Sequence, residues 1–280
     1  MLKDKLKNGD FVITCEILTP LDSNFDKISE DLSQLDCLID GFNIPFCPLG
    51  RLRPHSLLTG LYVRENYKAE PILHLSARHH TILSFEATLL LCQAIGIRNI
   101  LLITGDPPQE GEANYRLDSI SLLRLASGLN QGLSYSRRQI PNTTRFLLAA
   151  AFNPNRSNLR GEILRLKKKY EAGAEVIFTQ PVFDGDRFRS LIDQIRTEIP
   201  DIKVISGISF LYNKKTAFRL RKFLGIPYQY IDRLDNQDET DLLFDVAVKI
   251  KGSVDGFYII PIGRYQNAIG LIRRIKENLA

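Results

Sequence analysis

The chain predicts an α/β fold, a (β/α)8 barrel of the TIM type with one extra helix before the last strand. Three observations carry that prediction. Short β-rich runs alternate with helix-period segments eight times along the 280 residues. Eight such units close a parallel sheet through right-handed crossovers, and a barrel of this kind needs roughly 250 residues. The turn after the first strand, L-T-P-L-D-S-N, has none of the glycines that an open doubly wound sheet uses to hold phosphate. Neither G-x-G-x-x-G nor G-x-x-x-x-G-K-[ST] occurs anywhere in the chain.

Taken in order, the first strand is read at 11–18, F-V-I-T-C-E-I-L, followed by a helix at 26–35. The second strand, 37–44, leads to a helix at 54–66, and the third, 71–77, to one at 82–95. The fourth strand, 99–104, precedes a helix at 117–131. The fifth, 145–152, precedes one at 158–172, where Leu159, Ile163, Leu166 and Tyr170 recur at three- and four-residue steps. The sixth strand, 175–182, and the seventh, 203–210, are followed by helices at 185–198 and 214–224. The extra helix lies near 239–251, ahead of the last strand at 256–262. The closing helix, 265–279, repeats the apolar stripe with Ala268, Ile272, Ile275 and Leu279. No linker or low-complexity break interrupts the series, so one catalytic domain spanning 1–280 is expected.

Hydrophobic residues at 44% and charged residues at 25% suit a globular protein with a large core. No apolar run approaches the ~18 residues of a membrane span, and the opening M-L-K-D-K-L-K-N-G-D is too polar for a secretory signal. The cytoplasm is the expected compartment. Cys15, Cys37, Cys47 and Cys92 form no C-x-x-C pair, and buried, reduced thiols are expected. The net charge of +5 is dispersed among acids; it suits an anionic small ligand and falls short of a nucleic-acid footprint. Neither nucleic acid nor membrane is an expected partner.

Catalytic groups of an eight-unit barrel collect at the C-terminal ends of its strands. Those ends supply Glu16, Asn43, His74, then Thr104, Gly105 and Asp106, then Asn153 and Gln180. Turn and cap chemistry also favours Asn, Asp and Gly there. Glu16 and Gln180 stand out because neither type is a preferred turn residue, and a carboxylate ending an apolar run is costly to desolvate unless partnered. No lysine ends a strand, which removes the nucleophile of a Schiff-base aldolase. His79 and His80 adjoin at a helix start and would point apart, so no metal site is expected. Lys167, Lys168 and Lys169 read as a solvated face or as a seat for phosphate.

H-L-S-A-R at 74–78, G-I-R-N-I-L-L-I-T-G-D-P-P at 96–108 and K-Y-E-A-G-A-E-V-I-F-T-Q-P-V-F-D at 169–184 together resemble the methylenetetrahydrofolate reductase family. The similarity runs from about residue 11 to residue 275, with G-F-Y-I-I-P-I-G-R-Y matching more loosely. The resemblance implies a flavin-containing barrel that reduces 5,10-methylenetetrahydrofolate to 5-methyltetrahydrofolate, with FAD as cofactor and NADH or NADPH as donor. It implies that Glu16 is the catalytic proton donor and that Asp106 lies near both flavin and folate. It implies flavin contacts at His74, Thr104, Gly105, Tyr115, Phe152, Glu162, Lys168 and Lys169, and folate contacts at Gln180 and Arg264. Apolar neighbours Ile17 and Leu18 would raise the pKa of Glu16.

The chain departs from the family at His79, where relatives carry an acid, and at Thr216, where they carry glutamine. Its strand-seven segment, S-G-I-S-F-L-Y, lacks the usual prolines. The alternative expectation is a non-catalytic or divergent member that binds a partner subunit or acts on another reduced pterin; a homo-oligomer is left open.

Overall fold

The structure is a computed structural model and describes residues 1–279. Eight strands form it: β1 (Val12–Glu16), β2 (Gly41–Ile44), β3 (Glu70–Ser76), β4 (Asn99–Ile103), β5 (Leu147–Phe152), β6 (Val176–Pro181), β7 (Lys203–Ser209) and β8 (Gly256–Ile260). Each pairs in parallel with the next, and β8 closes on β1, giving a complete barrel in chain order. Closure leaves no unpaired sheet edge.

The two-residue period divides every strand between two cores. Val12, Ile72, Leu101, Ala149, Phe178, Ile205 and Tyr258 fill the barrel interior. Cys15, Phe42, Leu73, Leu148, Ile177 and Ile259 face outward and pack under the helices. Register fixes the layers: Glu16 lies beside Asn43, and Thr14 lies between Gly41 and Tyr258. Between Phe178 and Pro181 the β6–β7 ladder shifts. There the Thr179 hydroxyl accepts the Gly207 amide at 2.9 Å and donates to the Gln180 carbonyl at 2.8 Å. Gly207 suits this seam, since a Cβ would sit 2.5 Å from the Thr179 carbonyl.

The helices are α1 (Leu2–Asn8), α2 (Asp26–Asp36), α3 (Ser56–Asn66), α4 (Ile82–Ala94), α5 (Ser119–Asn130), α6 (Leu159–Glu171), α7 (Gly185–Glu198), α8 (Lys214–Leu224), α9 (Tyr228–Arg233), α10 (Glu239–Ile250) and α11 (Tyr265–Leu279). Side-chain caps begin many of them: Asp118 accepts from the Ser121 amide, Asn158 from Gly161 and Asp184 from Arg187.

Two arrangements differ from the expected pattern. A short helix, α1, precedes the first strand and buries Leu2 and Leu6 in the barrel's inner core. It is pinned by the Leu2 amide donating to Glu70, and by ion pairs Lys3–Glu175 at 2.7 Å and Lys5–Asp40 at 2.5 Å. The β7–β8 connection holds three helices, where only one beyond the regular unit was expected. Its last, α10, packs against α7, α11 and β7, whereas α8 packs chiefly on α9. The expected extra helix is therefore the regular seventh layer helix, and α8 with α9 is the insertion. Burial agrees: α8 buries only Ala217 and Leu224, while α10 buries Leu242, Leu243, Val246, Ala247 and Ile250. All four cysteines are free; Cys15 and Cys92 are buried as expected, but Cys47 is half-buried and Cys37 exposed.

Candidate active site

Glu16 ends β1 on the inward face, at the C-terminal mouth of the barrel. The Tyr258 hydroxyl, rising from β8, donates to Glu16 Oε2. Burial pushes the Glu16 carboxyl up to about 7, with the Tyr258 hydrogen bond opposing the rise. A carboxylic acid of that strength keeps its proton near neutrality and can give it to a substrate. The sequence reading did not single out Tyr258. The alternation of G-F-Y-I-I holds the signal, because it puts Tyr258 on the same face as Thr14 and hence Glu16.

His74, on β3, is buried and pushed down to about 3 by that burial, so its imidazole is neutral. Asn43 Nδ2 lies 3.1 Å from His74 Nε2; with Asn43 donating, the ring proton sits on Nδ1. Asn43 Oδ1 and Ser76 Oγ, both buried, have no hydrogen-bond partner. Orphaned polar atoms of this kind call for an occupant. A planar ligand with polar edges fits the donor and acceptor set of the β2–β3 side.

The loop after β4 carries Thr104, Gly105, Asp106 and Tyr115. Thr104 Oγ1 accepts from the Ser119 amide at 3.2 Å, tying the strand end to α5. Gly105 has φ +91°, and a Cβ there would lie 2.9 Å from Arg78 Cδ. Arg78 explains the close approach. Its buried guanidinium donates to the carbonyls of Asp106 and Cys47, the latter at 2.6 Å, and its Nε lies 2.8 Å from His79 Nε2. Arg51 Nε to Gln109 at 2.7 Å and the Leu52 amide to Glu110 at 2.9 Å button the same two loops further out. Within H-L-S-A-R the pattern gives Arg78 no role, because burial of an arginine is invisible to sequence periodicity. Asp106 and Tyr115 are exposed to solvent at the mouth.

Behind β5, Lys169 is buried and its Nζ donates to the Ala151 carbonyl at 2.6 Å. Burial lowers the Lys169 pKa, and the Glu162 carboxylate opposes that shift. Glu162 also accepts from the Asn153 amide at 3.2 Å, so Lys169 and Glu162 both meet the β5 end. Lys168 is exposed on the other side of the same helix, and Phe152 is buried in the outward, sheet–helix core. Of the lysine pair, one faces the strand end. Gln180 lies in the shifted stretch of β6 between Phe178 and Pro181 and is half-buried. Arg264 is exposed after β8, its guanidinium 4.2 Å above the Tyr212 ring. Tyr212 stacks on Phe210 and donates to the Pro261 carbonyl, which steadies that platform.

The family model for methylenetetrahydrofolate reductase matches residues 1–253. The chain belongs to the methylenetetrahydrofolate reductase family. Among curated members of that family, methylenetetrahydrofolate reductase 1 of Schizosaccharomyces pombe is 25% identical over 179 residues, covering 61% of this chain and 28% of that protein. The 5,10-methylenetetrahydrofolate reductase of Escherichia coli is 26% identical over 200 residues, covering 68% of this chain and 62% of the relative. The chain thus spans under a third of the length of the fungal relative and less than two thirds of the bacterial one. A solved structure from Clostridium thermocellum, described as binding two copies of 5-methyl-5,6,7,8-tetrahydrofolic acid, superposes with a TM-score of 0.74 at 17% identity. That superposition covers 99% of both chains and shows the shared fold.

As a family member, the chain unites Glu16, Asn43, His74, Ser76 and Tyr258 on the inward face, with Gln180 at the β6 end and Asp106 and Arg264 exposed around the mouth. Among the described residues, no helix is long and apolar enough to cross a membrane.

Proposed function

We propose that this chain is a flavin-dependent reductase that converts 5,10-methylenetetrahydrofolate to 5-methyltetrahydrofolate, with FAD as resident cofactor and NADH or NADPH as donor. The observation that carries this reading is Glu16: a half-buried carboxyl at the barrel mouth, desolvated enough to hold its proton near neutrality, in a chain of this family. Bound flavin supplies reversible hydride acceptance and donation. His74, Asn43 and Ser76 offer a neutral, hydrogen-bonding wall to its ring, and Thr104, Gly105 and Asp106 border the same side. Glu162 and Lys169, with Tyr115 nearer the solvent, hold its polar tail.

The chain's own groups divide the remaining work. Glu16 delivers a proton to the folate as its methylene bridge opens, worth typically about 10²–10⁴-fold in rate. Asp106 stabilises positive charge developing on the opened, iminium form. Gln180 presents an amide that can both donate to and accept from a pterin edge. Arg264, exposed and held over the Tyr212 ring, meets a folate carboxylate.

The absorbance spectrum of the purified protein tests the reading. A yellow protein with bound FAD is expected; a colourless one that neither binds nor is stabilised by added FAD would overturn it. The superposition on the Clostridium thermocellum protein favours one second reading, a folate-binding barrel without flavin. Its signature is tight binding of 5-methyltetrahydrofolate by a colourless preparation.

A further inference from the structure

We propose that Tyr258 is a positioning residue that fixes the Glu16 carboxyl and tunes its release of a proton. The proposal rests on Glu16 as the proton donor and adds the group that controls it. Tyr258 stands one layer below Glu16, beside Thr14 on β1 and Gly207 on β7. Its ring is wedged edge-on between Phe178, at 5.6 Å between centroids, and His74, at 6.2 Å. The phenol therefore has one direction to point, and it donates to Glu16 Oε2.

Two consequences follow for the carboxyl. With Oε2 occupied by the phenol, the exchangeable proton resides on Oε1, the oxygen left free to face a substrate. The second concerns charge. Tyr258 is the sole hydrogen-bond donor to the Glu16 carboxyl among the described residues. The groups around Glu16 are neutral: His74 from β3, Asn43 from β2, Cys15 on its own strand, and Tyr265 at the start of α11. No lysine or arginine contributes to its shift, so desolvation and the phenol alone set its acidity. A cation in place of the phenol would leave Glu16 ionised at neutrality, and an apolar group would leave it too weak an acid.

The experiment is Tyr258→Phe, with the Glu16 titration followed by its carboxyl infrared band, using Glu16→Gln as the blank. Loss of a hydrogen bond to an ionised group should raise the midpoint by about one to two pH units. The alkaline limb of folate reduction should move up with it, while flavin reduction by NAD(P)H stays as in the parent. A second protein, carrying the more acidic 3,5-difluorotyrosine at 258 in the parental shape, should move the midpoint down. Should Tyr258→Phe not fold, that second protein decides alone. An unmoved midpoint in a folded, folate-reducing protein overturns the inference and leaves the reductase reading standing. A moved midpoint in a protein that never reduces folate does the reverse.

Discussion

At Glu16, stability and function pull against each other, and the sign of the conflict is set by its titration. The unfolded carboxyl ionises near its ordinary value of 4.5, whereas the folded one holds its proton to about 7. Between those values the folded state binds more protons, so stability present below pH 4.5 is lost as pH rises through 7. Glu16→Gln keeps the acceptor for Tyr258 and removes the ionisation. Discounting for partial exposure, the variant should be more stable than its parent by about 1–2 kcal/mol at pH 8 and equal to it near pH 4. Urea melts at the two pH values check this; a variant less stable at both would mean that Glu16 is not desolvated. In stopped flow the same variant should reduce flavin normally and folate roughly 10²-fold or more slowly.

The two lysines separate just as sharply. Lys169→Met should weaken FAD binding by about tenfold or more, the scale of losing a charge-assisted contact, while Lys168→Met should leave it unchanged. Fluorescence titration of FAD with each variant measures this. Equal effects of the two substitutions would refute this division of the pair.

Among the elements, the eight β-rich runs and the helices between them were legible because two- and 3.6-residue periods survive in the sequence. What periodicity does not encode is the slot a helix fills. K-K-T-A-F-R-L-R-K-F-L and E-T-D-L-L-F-D-V-A-V-K-I both read as amphipathic, yet the second is the layer helix and the first the insertion. The N-terminal helix was missed for another reason. Its only apolar residues, Leu2 and Leu6, are four apart within seven residues of otherwise polar chain, and burial depends on a barrel floor that no local pattern reveals. The site shows the same division. Strand-end residues such as Glu16 and Gln180 were legible by position, whereas Tyr258 and Arg78 act through contacts made only by closure of the barrel. The two helices make the test. Leu6→Ala should cost about 2–4 kcal/mol, as for a truncated core leucine, and Phe218→Ala on exposed α8 under about 0.5 kcal/mol. Similar losses in chemical denaturation would refute the assignment of α1 as a packed plug.

Over the whole molecule, the barrel divides its labour between two ends. Leu2, Leu6 and the Glu70–Asn99 hydrogen bond close the N-terminal floor, while the titratable groups Glu16 and His74 sit at the opposite mouth. Those two groups make stability depend on pH in opposite senses. His74 has an ordinary value of 6.5 and is held near 3 when folded, so its contribution is complete above pH 6.5 and is lost as pH falls toward 3. The unfolded imidazole takes up a proton over that interval and the buried one does not. By pH 4.5 the loss from this residue should be on the order of 2–3 kcal/mol. Glu16 loses stability as pH rises from 4.5 to 7, opposing the gain from His74 across the overlap, so the mouth favours a mildly acidic optimum. His74→Gln, which keeps a partner for Asn43 without the ionisation, should remove the acid-side loss due to this residue and leave the fall that Glu16 contributes between pH 4.5 and 7. The measurement is unfolding free energy from pH 4 to pH 8 in parent and variant. An acid limb of unchanged slope in the variant would mean that His74 titrates in the folded protein much as it does in water, and its place as a neutral wall of the site would fall with it.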